Sequence, residues 1–200
     1  MGLFALVPAK RFEAAKSRLG GVLDGAERAG FARRMFEHVV STLGASNAFE
    51  RLAVVTDSDE VARLAEGLGA LALSDPASAR TLADRVDASL AELERHGATA
   101  ALVVMGDLPT LTVDDVGRLV RGLQVADVVV APDGRGHHTN ALGLRVPAPF
   151  RTHFGDAESL ARHRETATAA SLTVNVVETP GLAFDVDTEA DYATLGRLKR

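Results

Sequence analysis

The sequence predicts an α/β protein of three layers, with helices on both faces of a mixed but mostly parallel sheet. Short apolar and β-branched runs alternate along the chain with longer amphipathic stretches. Strands that are apolar throughout are typical of a parallel sheet that helices cover on both sides. The chain of 200 residues has no internal repeat and no low-complexity linker. We therefore predict a single domain over residues 1–200 with a substantial core.

The individual elements follow from the same alternation of patterns. In the first predicted helix, Phe31, Met35, Val39 and Leu43 recur at intervals of four and form one apolar face. The segment 139–146 can supply a further strand, for which an antiparallel orientation is open. The other strands are predicted at 3–9, 51–57, 70–75, 101–107, 127–133 and 171–178, and the helices at 26–43, 58–68, 79–96, 112–123, 157–169 and 188–198.

Composition excludes several classes of protein. The net charge of −5 argues against a general nucleic-acid binder. No apolar run approaches the roughly 20 residues that a membrane-spanning helix needs, and the first residues lack the features of a signal peptide. The sequence contains no cysteine, which excludes disulfides, zinc–thiolate sites and a thiol nucleophile. We expect a cytoplasmic protein that binds neither nucleic acid nor membrane.

Four predicted strands end in an aspartate, at positions 57, 75, 107 and 133. Ligands of open α/β sheets bind beyond the carboxyl ends of the strands, where these acids lie. An aspartate at such a junction is often only a helix cap or a turn residue, and we favour that interpretation for Asp57, Asp75 and Asp133. Asp107 differs, because Thr112 is better placed to cap the following helix. We therefore predict that Asp107, at the tip of its strand, is a ligand of a hard cation such as Mg²⁺.

A second pair of acids lies near the end of the chain, in the stretch “FDVDT”. In an extended segment, Asp185 and Asp187 lie on the same side, with Val186 opposite. Two carboxylates this close repel each other, and a divalent cation relieves that repulsion. Thr188 can cap the last helix by itself, so we predict a metal-binding role for the aspartate pair.

Four cations follow the first predicted strand within nine positions: Lys10, Arg11, Lys16 and Arg18. A basic loop at the carboxyl end of a strand suits a polyphosphate, although neither a Walker motif nor a dinucleotide glycine motif is present. A solvated, basic helix start explains the pattern equally well.

Two polar turns precede apolar elements later in the chain. In “GRGHHTNALG” the neighbours His137 and His138 point in opposite directions if extended, so they do not chelate one metal together, whereas Thr139 and Asn140 can hydrogen-bond a small anion. In “FGDAESLARH” a glycine leads into a helix whose free amides can bind phosphate or carboxylate. His163, one turn further on, is expected to be a surface or packing residue.

Six stretches, in order over nearly the whole chain, carry a resemblance to a known family. They are “LVPAKRFEAAKSRL”, “VVTDSDEVARLAEGLGA”, “VVMGDLPTL”, “APDGRGHHTNALGL”, “FGDAESLARH” and “FDVDTEADY”. Together they resemble the phosphoenolpyruvate or 2-phospho-L-lactate guanylyltransferases of coenzyme F420 biosynthesis. The resemblance implies a Rossmann-like nucleotidyltransferase fold and a reaction of GTP with a small phosphorylated carboxylic acid that releases pyrophosphate.

The resemblance also implies roles for individual residues. Asp107, Asp185 and Asp187 match the family's magnesium-binding acids. The remaining matches are Lys10, Lys16 and Arg18 for the basic nucleotide loop, Thr139 for the acid substrate, and Gly155 and Ser159 for the substrate phosphate.

This chain departs from the family pattern in three places. His137 and His138 stand where two glycines are usual, the spacing from Gly155 to Ser159 is one residue longer, and Asp84 stands near a usual amide. These changes leave the acceptor open among phosphoenolpyruvate, 2-phospho-L-lactate and 3-phosphoglycerate. Another nucleotidyl- or glycosyltransferase of similar fold, and a non-catalytic nucleotide-binding module, are the alternatives. A homodimer is also left open.

Overall fold

A computed structural model describes residues 2–198 and contains one seven-stranded sheet flanked by helices. The sheet has the order β3-β2-β1-β4-β6-β5-β7. Only β6 runs antiparallel to its neighbours, β4 and β5. The strands are β1 (Leu3–Pro8), β2 (Arg51–Thr56), β3 (Leu71–Ser74), β4 (Ala100–Val104), β5 (Val128–Pro132), β6 (Thr139–Arg145) and β7 (Val174–Val176). The mixed, mostly parallel sheet that the sequence predicts is confirmed, including the antiparallel strand at 139–146.

The helices cover both faces of this sheet. Side chains of α1, α2 and α4 pack with one face of the sheet, and those of α3 and α5 pack with the other. The helices are α1 (Gly25–Ala45), α2 (Asp59–Gly67), α3 (Leu82–Arg95), α4 (Val113–Val125), α5 (Ser159–Ala169), α6 (Pro180–Ala183) and α7 (Glu189–Leu198). The three-layer α/β/α prediction is therefore confirmed. No helix among residues 2–198 is long and apolar enough to cross a membrane.

A third, smaller apolar cluster joins the two ends of the chain. Leu19, in a 3-10 turn after β1, packs with Phe31 and Met35 of α1, with Val186 and with Leu195 of α7. Burying these side chains is favourable at about 25 cal/mol per Å² of apolar surface. The cluster fixes the loop that follows β1 next to the segment that carries Asp185 and Asp187.

The ends of two elements differ from the sequence prediction. β4 ends at Val104, so Asp107 lies in the turn after the strand and not at its tip. A short helix, α6, precedes Asp185, because Thr179 caps it and Pro180 occupies its first turn. The segment 184–187 is irregular; there Val186 is buried and both aspartates are partly exposed, as the predicted alternation requires.

The other acids at strand ends have separate structural roles. Asp133 accepts hydrogen bonds from the backbone N–H groups of His137 and His138, which confirms its turn role. Of the two roles predicted for Asp57 and Asp75, cap or turn residue, the structure excludes the cap, because Ser58 and Thr81 cap α2 and α3 instead. Asp57 pairs with Arg11 at 3.5 Å, and Asp75 pairs with Arg85 at 2.6 Å.

Candidate active site

A cavity of about 380 Å³ opens beyond the carboxyl ends of β1 and β4. Apolar side chains of α1, including Met35 and Phe36, form part of its wall. Its charged lining consists of Lys10, Lys16, Arg18, Arg85, Asp107 and Asp187. Four cations and two acids around one cavity suit a ligand that carries phosphate groups and a metal ion.

Lys16 lies at the centre of this arrangement. Its Nζ donates to Asp107 Oδ2 at 2.6 Å and to Asp187 Oδ1 at 2.9 Å, and only 7% of the side chain is exposed. The residue adopts a left-handed backbone conformation with φ 55° immediately before the 3-10 turn Ser17–Leu19. Because buried Leu19 anchors that turn, the backbone directs the Lys16 ammonium between the two acids.

The acids determine the charge state of this lysine. Burial alone would lower the pKa of Lys16, but the nearby carboxylates of Asp107 and Asp187 outweigh burial and raise that pKa above its ordinary value. Lys16 therefore carries its full positive charge throughout the neutral range.

Asp185 is the third acid of the group and lies deeper than Asp187. Burial raises the pKa of Asp185, and the negative charges of Asp107 and Asp187 raise it further, against a hydrogen bond from Asn140. Asn140 Nδ2 donates to Asp185 Oδ1 at 3.3 Å and to the carbonyl oxygen of Leu182 at 2.9 Å. Asn140 thereby connects β6 to the end of α6 and fixes the Asp185 carboxylate.

The donor set suits a divalent cation that has to compete with Lys16. Asp107 Oδ2 and Asp187 Oδ1 both contact Lys16 Nζ, so they lie within about 5.5 Å of each other, the sum of the two contact distances. Asp107 and Asp187 contact one ammonium, and the charge of Asp185 interacts with both of these acids, so the three carboxylates together carry an excess of negative charge over Lys16. In the described part of the chain, no three acidic or histidine side chains form a ready-made metal cluster. A metal ion would fit these acids once the ammonium has moved aside.

We expect Asp185→Asn to stabilise the fold, because it removes a buried negative charge beside Asp107 and Asp187. Because the folded-state pKa of Asp185 is raised, its ionisation costs stability as the pH rises above the ordinary value of 3.8. At pH 7 the variant should therefore unfold at a higher temperature than the wild type. Thermal unfolding at pH 7, with the exposed Asp114→Asn as control, measures the gain. A lower Tm for Asp185→Asn at pH 7 would contradict the inferred repulsion.

A second group of polar side chains lies where β6 begins beside α5. The backbone N–H of Thr139 donates to Ser159 Oγ at 3.0 Å, and Thr139 Oγ1 contacts His163 Nδ1 at 2.9 Å. His163 Nε2 accepts from the backbone N–H of His153 at 2.8 Å. The neutral ring therefore carries its proton on Nδ1 and donates it to Thr139. Each hydroxyl accepts a hydrogen bond and keeps its own proton to donate to an anion.

The sequence predicts that His163 is either a surface or a packing residue. It is a packing residue, because its side chain is fully buried. Burial, together with the charge of the neighbouring His153, lowers the pKa of His163 to about 3. Phe154 meets the ring edge-on at a centroid distance of 5.0 Å. The ring thus has one apolar contact and two fixed hydrogen bonds, and this environment selects its neutral form.

We expect His163 to make the fold sensitive to acid. Its pKa is depressed in the folded state, so the unfolded chain binds the proton first as the pH falls. Stability is full above about pH 6.5 and is lost towards pH 3, with about 2–3 kcal/mol gone at pH 4.5. Urea unfolding of the wild type and of His163→Gln at pH 7 and 4.5 measures the difference. If both proteins lose equal stability between the two pH values, His163 does not cause the loss.

The structure brings together only part of the predicted site. Lys10 and Arg18 line the cavity with Lys16, and Arg18 Nη1 lies 4.0 Å from Asp187 Oδ2. Thr139, Asn140 and Ser159 are buried outside the residues that line it. Thr139 contacts α5, whereas its neighbour Asn140 points to α6.

The predicted glycine, Gly155, lies next to the first turn of α3. Gly155 has φ +87°, a conformation that favours glycine, and a Cβ there would lie 3.4 Å from Leu82 Cβ. Leu82 also lines the cavity. The loop that the sequence assigns to the substrate phosphate therefore lies beside the first turn of α3, next to a residue that lines the cavity.

The departures from the family pattern have local structural explanations. Asp84 closes the capping box of α3 with Thr81 and pairs with Arg151. His137 contacts Glu158, and His138 contacts Asp133, so the two rings diverge as predicted. Both side chains are more than half exposed.

The sequence of this chain matches one family model and several named relatives. The family model described as “Guanylyl transferase CofC like” matches residues 3–196. A phosphoenolpyruvate guanylyltransferase from Conexibacter woesei is 38% identical over 99% of this chain and 89% of the relative. A 3-phospho-D-glycerate guanylyltransferase from Phenylobacterium zucineum is 36% identical over 92% and 84%, and a 2-phospho-L-lactate guanylyltransferase from Halorubrum lacusprofundi is 37% identical over 92% and 79%.

Solved structures share the same architecture. A candidate nucleotide-diphospho-sugar transferase from Desulfovibrio desulfuricans superposes with a TM-score of 0.81 over 99% of this chain and 87% of the other, at 21% identity. At that identity the similarity establishes the fold alone.

Proposed function

Because the chain belongs to the CofC-like guanylyl transferase family, we propose that it transfers the GMP group of GTP to a small phosphorylated carboxylic acid and releases pyrophosphate. The observation that carries the proposal is the group of Asp107, Asp185 and Asp187 beside a cavity lined by Lys10, Lys16 and Arg18. GTP is an anion that binds Mg²⁺, so a site for it needs carboxylates that hold the metal ion and cations that neutralise the phosphates.

The reaction exchanges one bond at the α-phosphorus of GTP. A phosphate oxygen of the acceptor forms the new P–O bond, the bond to the bridging oxygen of the β-phosphate breaks, and pyrophosphate leaves with the electron pair. The attacking oxygen is already ionised near neutral pH, because the second pKa of a phosphate monoester is about 6. No general base is needed, and the site accordingly requires charge neutralisation and positioning above all.

Lys10 and Arg18 are placed to neutralise the triphosphate. Both line the cavity, and the guanidinium of Arg18 is largely exposed to it or to solvent. Fixed cations stabilise the negative charge that grows on the leaving pyrophosphate. We assign to both residues the binding of GTP.

Lys16 has a different task from its basic neighbours. Its ammonium contacts and neutralises Asp107 and Asp187, and it can turn to the triphosphate once those acids hold a cation instead. Asp107, Asp185 and Asp187 would hold Mg²⁺. When bound, that ion supplies charge neutralisation and in-line alignment of the reacting phosphates.

The acceptor is proposed to bind at the start of β6 and α5. Thr139 and Ser159 are buried there, each hydroxyl accepts one hydrogen bond and has its own proton left to donate, and His163 fixes the orientation of Thr139. Named relatives of nearly equal identity act, by their names, on phosphoenolpyruvate, 3-phospho-D-glycerate and 2-phospho-L-lactate. We therefore propose a three-carbon phospho-acid of this class and a place in coenzyme F420 biosynthesis.

The proposal is tested by one competition experiment. The protein is incubated with GTP, Mg²⁺ and equal amounts of phosphoenolpyruvate, phospholactate and 3-phosphoglycerate, and the products are identified by mass spectrometry. We expect one guanylated diphosphate and stoichiometric pyrophosphate. GTP binding without pyrophosphate release would favour a non-catalytic module, and a product with another nucleotide would favour a different nucleotidyltransferase.

A further inference from the structure

Asn140 lies beside the proposed metal-binding acids and not with the group proposed to bind the acceptor. The sequence predicts that Thr139 and Asn140 hydrogen-bond a small anion. Both residues belong to β6, and neighbouring residues of a strand direct their side chains to opposite faces of the sheet. Thr139 accordingly contacts α5, whereas Asn140 contacts the end of α6 and Asp185. The two neighbours therefore face different parts of the site.

The amide of Asn140 is held in a single orientation. Its Nδ2 donates to the carbonyl oxygen of Leu182 at 2.9 Å and to Asp185 Oδ1 at 3.3 Å. Both partners are oxygen acceptors, so the amide nitrogen faces them, and each of its two protons has a partner. Only 4% of Asn140 is exposed. Turning the amide over would bring its oxygen against two other oxygens in a buried place, which is costly.

Asp185 depends on this contact for the position of its carboxylate. The segment 184–187 is irregular, so no helix or strand fixes the side chain. The other two acids of the group are held by Lys16, which has to move aside when they bind a cation. The contact between Asn140 and Asp185 does not involve Lys16. It can persist in the metal-bound protein, because a carboxylate oxygen that accepts one hydrogen bond keeps a lone pair for a metal ion.

We propose that Asn140 is a positioning residue for the metal site and not a ligand of the acid substrate, a role that rests on the proposed use of Mg²⁺. Its amide holds the Asp185 carboxylate in the orientation that binds the ion. Hydrogen-bond partners behind a metal ligand act in this way, and losing one typically costs about tenfold to a hundredfold in metal affinity. Strand β6 thus serves the acceptor with Thr139 and the metal with the next residue.

Two competing explanations make different predictions. If Asn140 only ties β6 to α6 through the carbonyl of Leu182, its loss lowers stability and leaves metal affinity unchanged. If Asn140 contacts the acid substrate, its loss raises the KM for the acceptor and again leaves metal affinity unchanged. Metal affinity in the absence of substrates therefore separates the positioning role from both.

The test compares Asn140→Ala with Thr139→Ala, which makes a similar truncation one residue away on the opposite face of β6. Binding of Mn²⁺ is measured by electron paramagnetic resonance on the nucleotide-free protein, because GTP itself binds the ion. The acceptor KM is measured at saturating Mg²⁺ with whichever of phosphoenolpyruvate, phospholactate and 3-phosphoglycerate gives product. Thermal unfolding shows whether each variant folds.

We expect the Kd for Mn²⁺ to rise about tenfold to a hundredfold in Asn140→Ala, with the acceptor KM unchanged. Thr139→Ala should show the reverse, a wild-type Kd for Mn²⁺ and an acceptor KM that is raised about tenfold. A folded Asn140→Ala that binds Mn²⁺ as tightly as the wild type would overturn the proposal, whether or not its acceptor KM rises.

If Asn140→Ala does not fold, crystals of the wild type with Mn²⁺ and a non-hydrolysable GTP analogue decide the question. A hydrogen bond from Asn140 Nδ2 to the metal-bound carboxylate of Asp185 would support the proposal, and an Asn140 side chain turned away from that carboxylate would overturn it. A wild type that binds no Mn²⁺ would instead contradict the proposed function.

Discussion

Asp107→Asn is expected to lower kcat/KM for pyrophosphate release by at least about a hundredfold, the scale on which lost metal-site or charge-stabilising groups act. The amide keeps the shape of the side chain but loses the negative charge that a divalent cation requires. The fold should persist, because Lys16 keeps its contact with Asp187 and Thr112 caps α4 without help from residue 107.

A coupled pyrophosphate assay over a series of Mg²⁺ concentrations measures this effect. The control is Asp114→Asn, which makes the same change at an exposed acid of α4 that pairs with Arg118. We expect the control to keep the wild-type rate. A near-normal rate for Asp107→Asn at low Mg²⁺ would show that Asp107 does not bind the metal.

Lys16→Met is expected to change two measurements in opposite directions. Without the ammonium, Asp107 and Asp187 lose their shared counter-ion, so the nucleotide-free protein should bind Mn²⁺ about tenfold or more tightly. Charges in contact near a protein surface interact by several kcal/mol, so removing one competitor can produce this change. Turnover should fall by about a hundredfold, since a cation that contacts the triphosphate is lost.

Electron paramagnetic resonance of free Mn²⁺ measures the first effect, and pyrophosphate release measures the second. Lys10→Met is the matched control: Lys10 lines the same cavity, but no ion pair links it to an acid within residues 2–198. We expect that control to weaken GTP use without tightening Mn²⁺ binding. Unchanged Mn²⁺ affinity in Lys16→Met would show that the lysine does not compete with the metal.

The fold could be predicted because its strands are apolar over their whole length. Such runs are stable mainly at the centre of an α/β/α sandwich. Where the apolar runs stop, they also indicate where β1 and β4 end. The alternation of Asp185, Val186 and Asp187 was also visible, and Val186 is buried as that alternation requires. Local patterns therefore placed the acids and the basic loop on one side of the sheet.

Contacts between distant positions could not be predicted in this way. Lys16 meets Asp107 and Asp187 across 91 and 171 positions of sequence, and no local pattern specifies such a meeting. Arg85 looks like an ordinary surface residue of a helix until the fold places it at the cavity. Sequence alone could not decide between the surface and the packing role of His163 for the same reason, since its burial depends on how α5 packs beside Thr139.

The most direct measurement is anomalous diffraction from crystals grown with Mn²⁺ and a non-hydrolysable GTP analogue. We predict a manganese peak bound by carboxylate oxygens of Asp107, Asp185 and Asp187, with Lys16 Nζ turned from these acids to the triphosphate. A manganese ion bound elsewhere, with Lys16 still between Asp107 and Asp187, would contradict the proposed site.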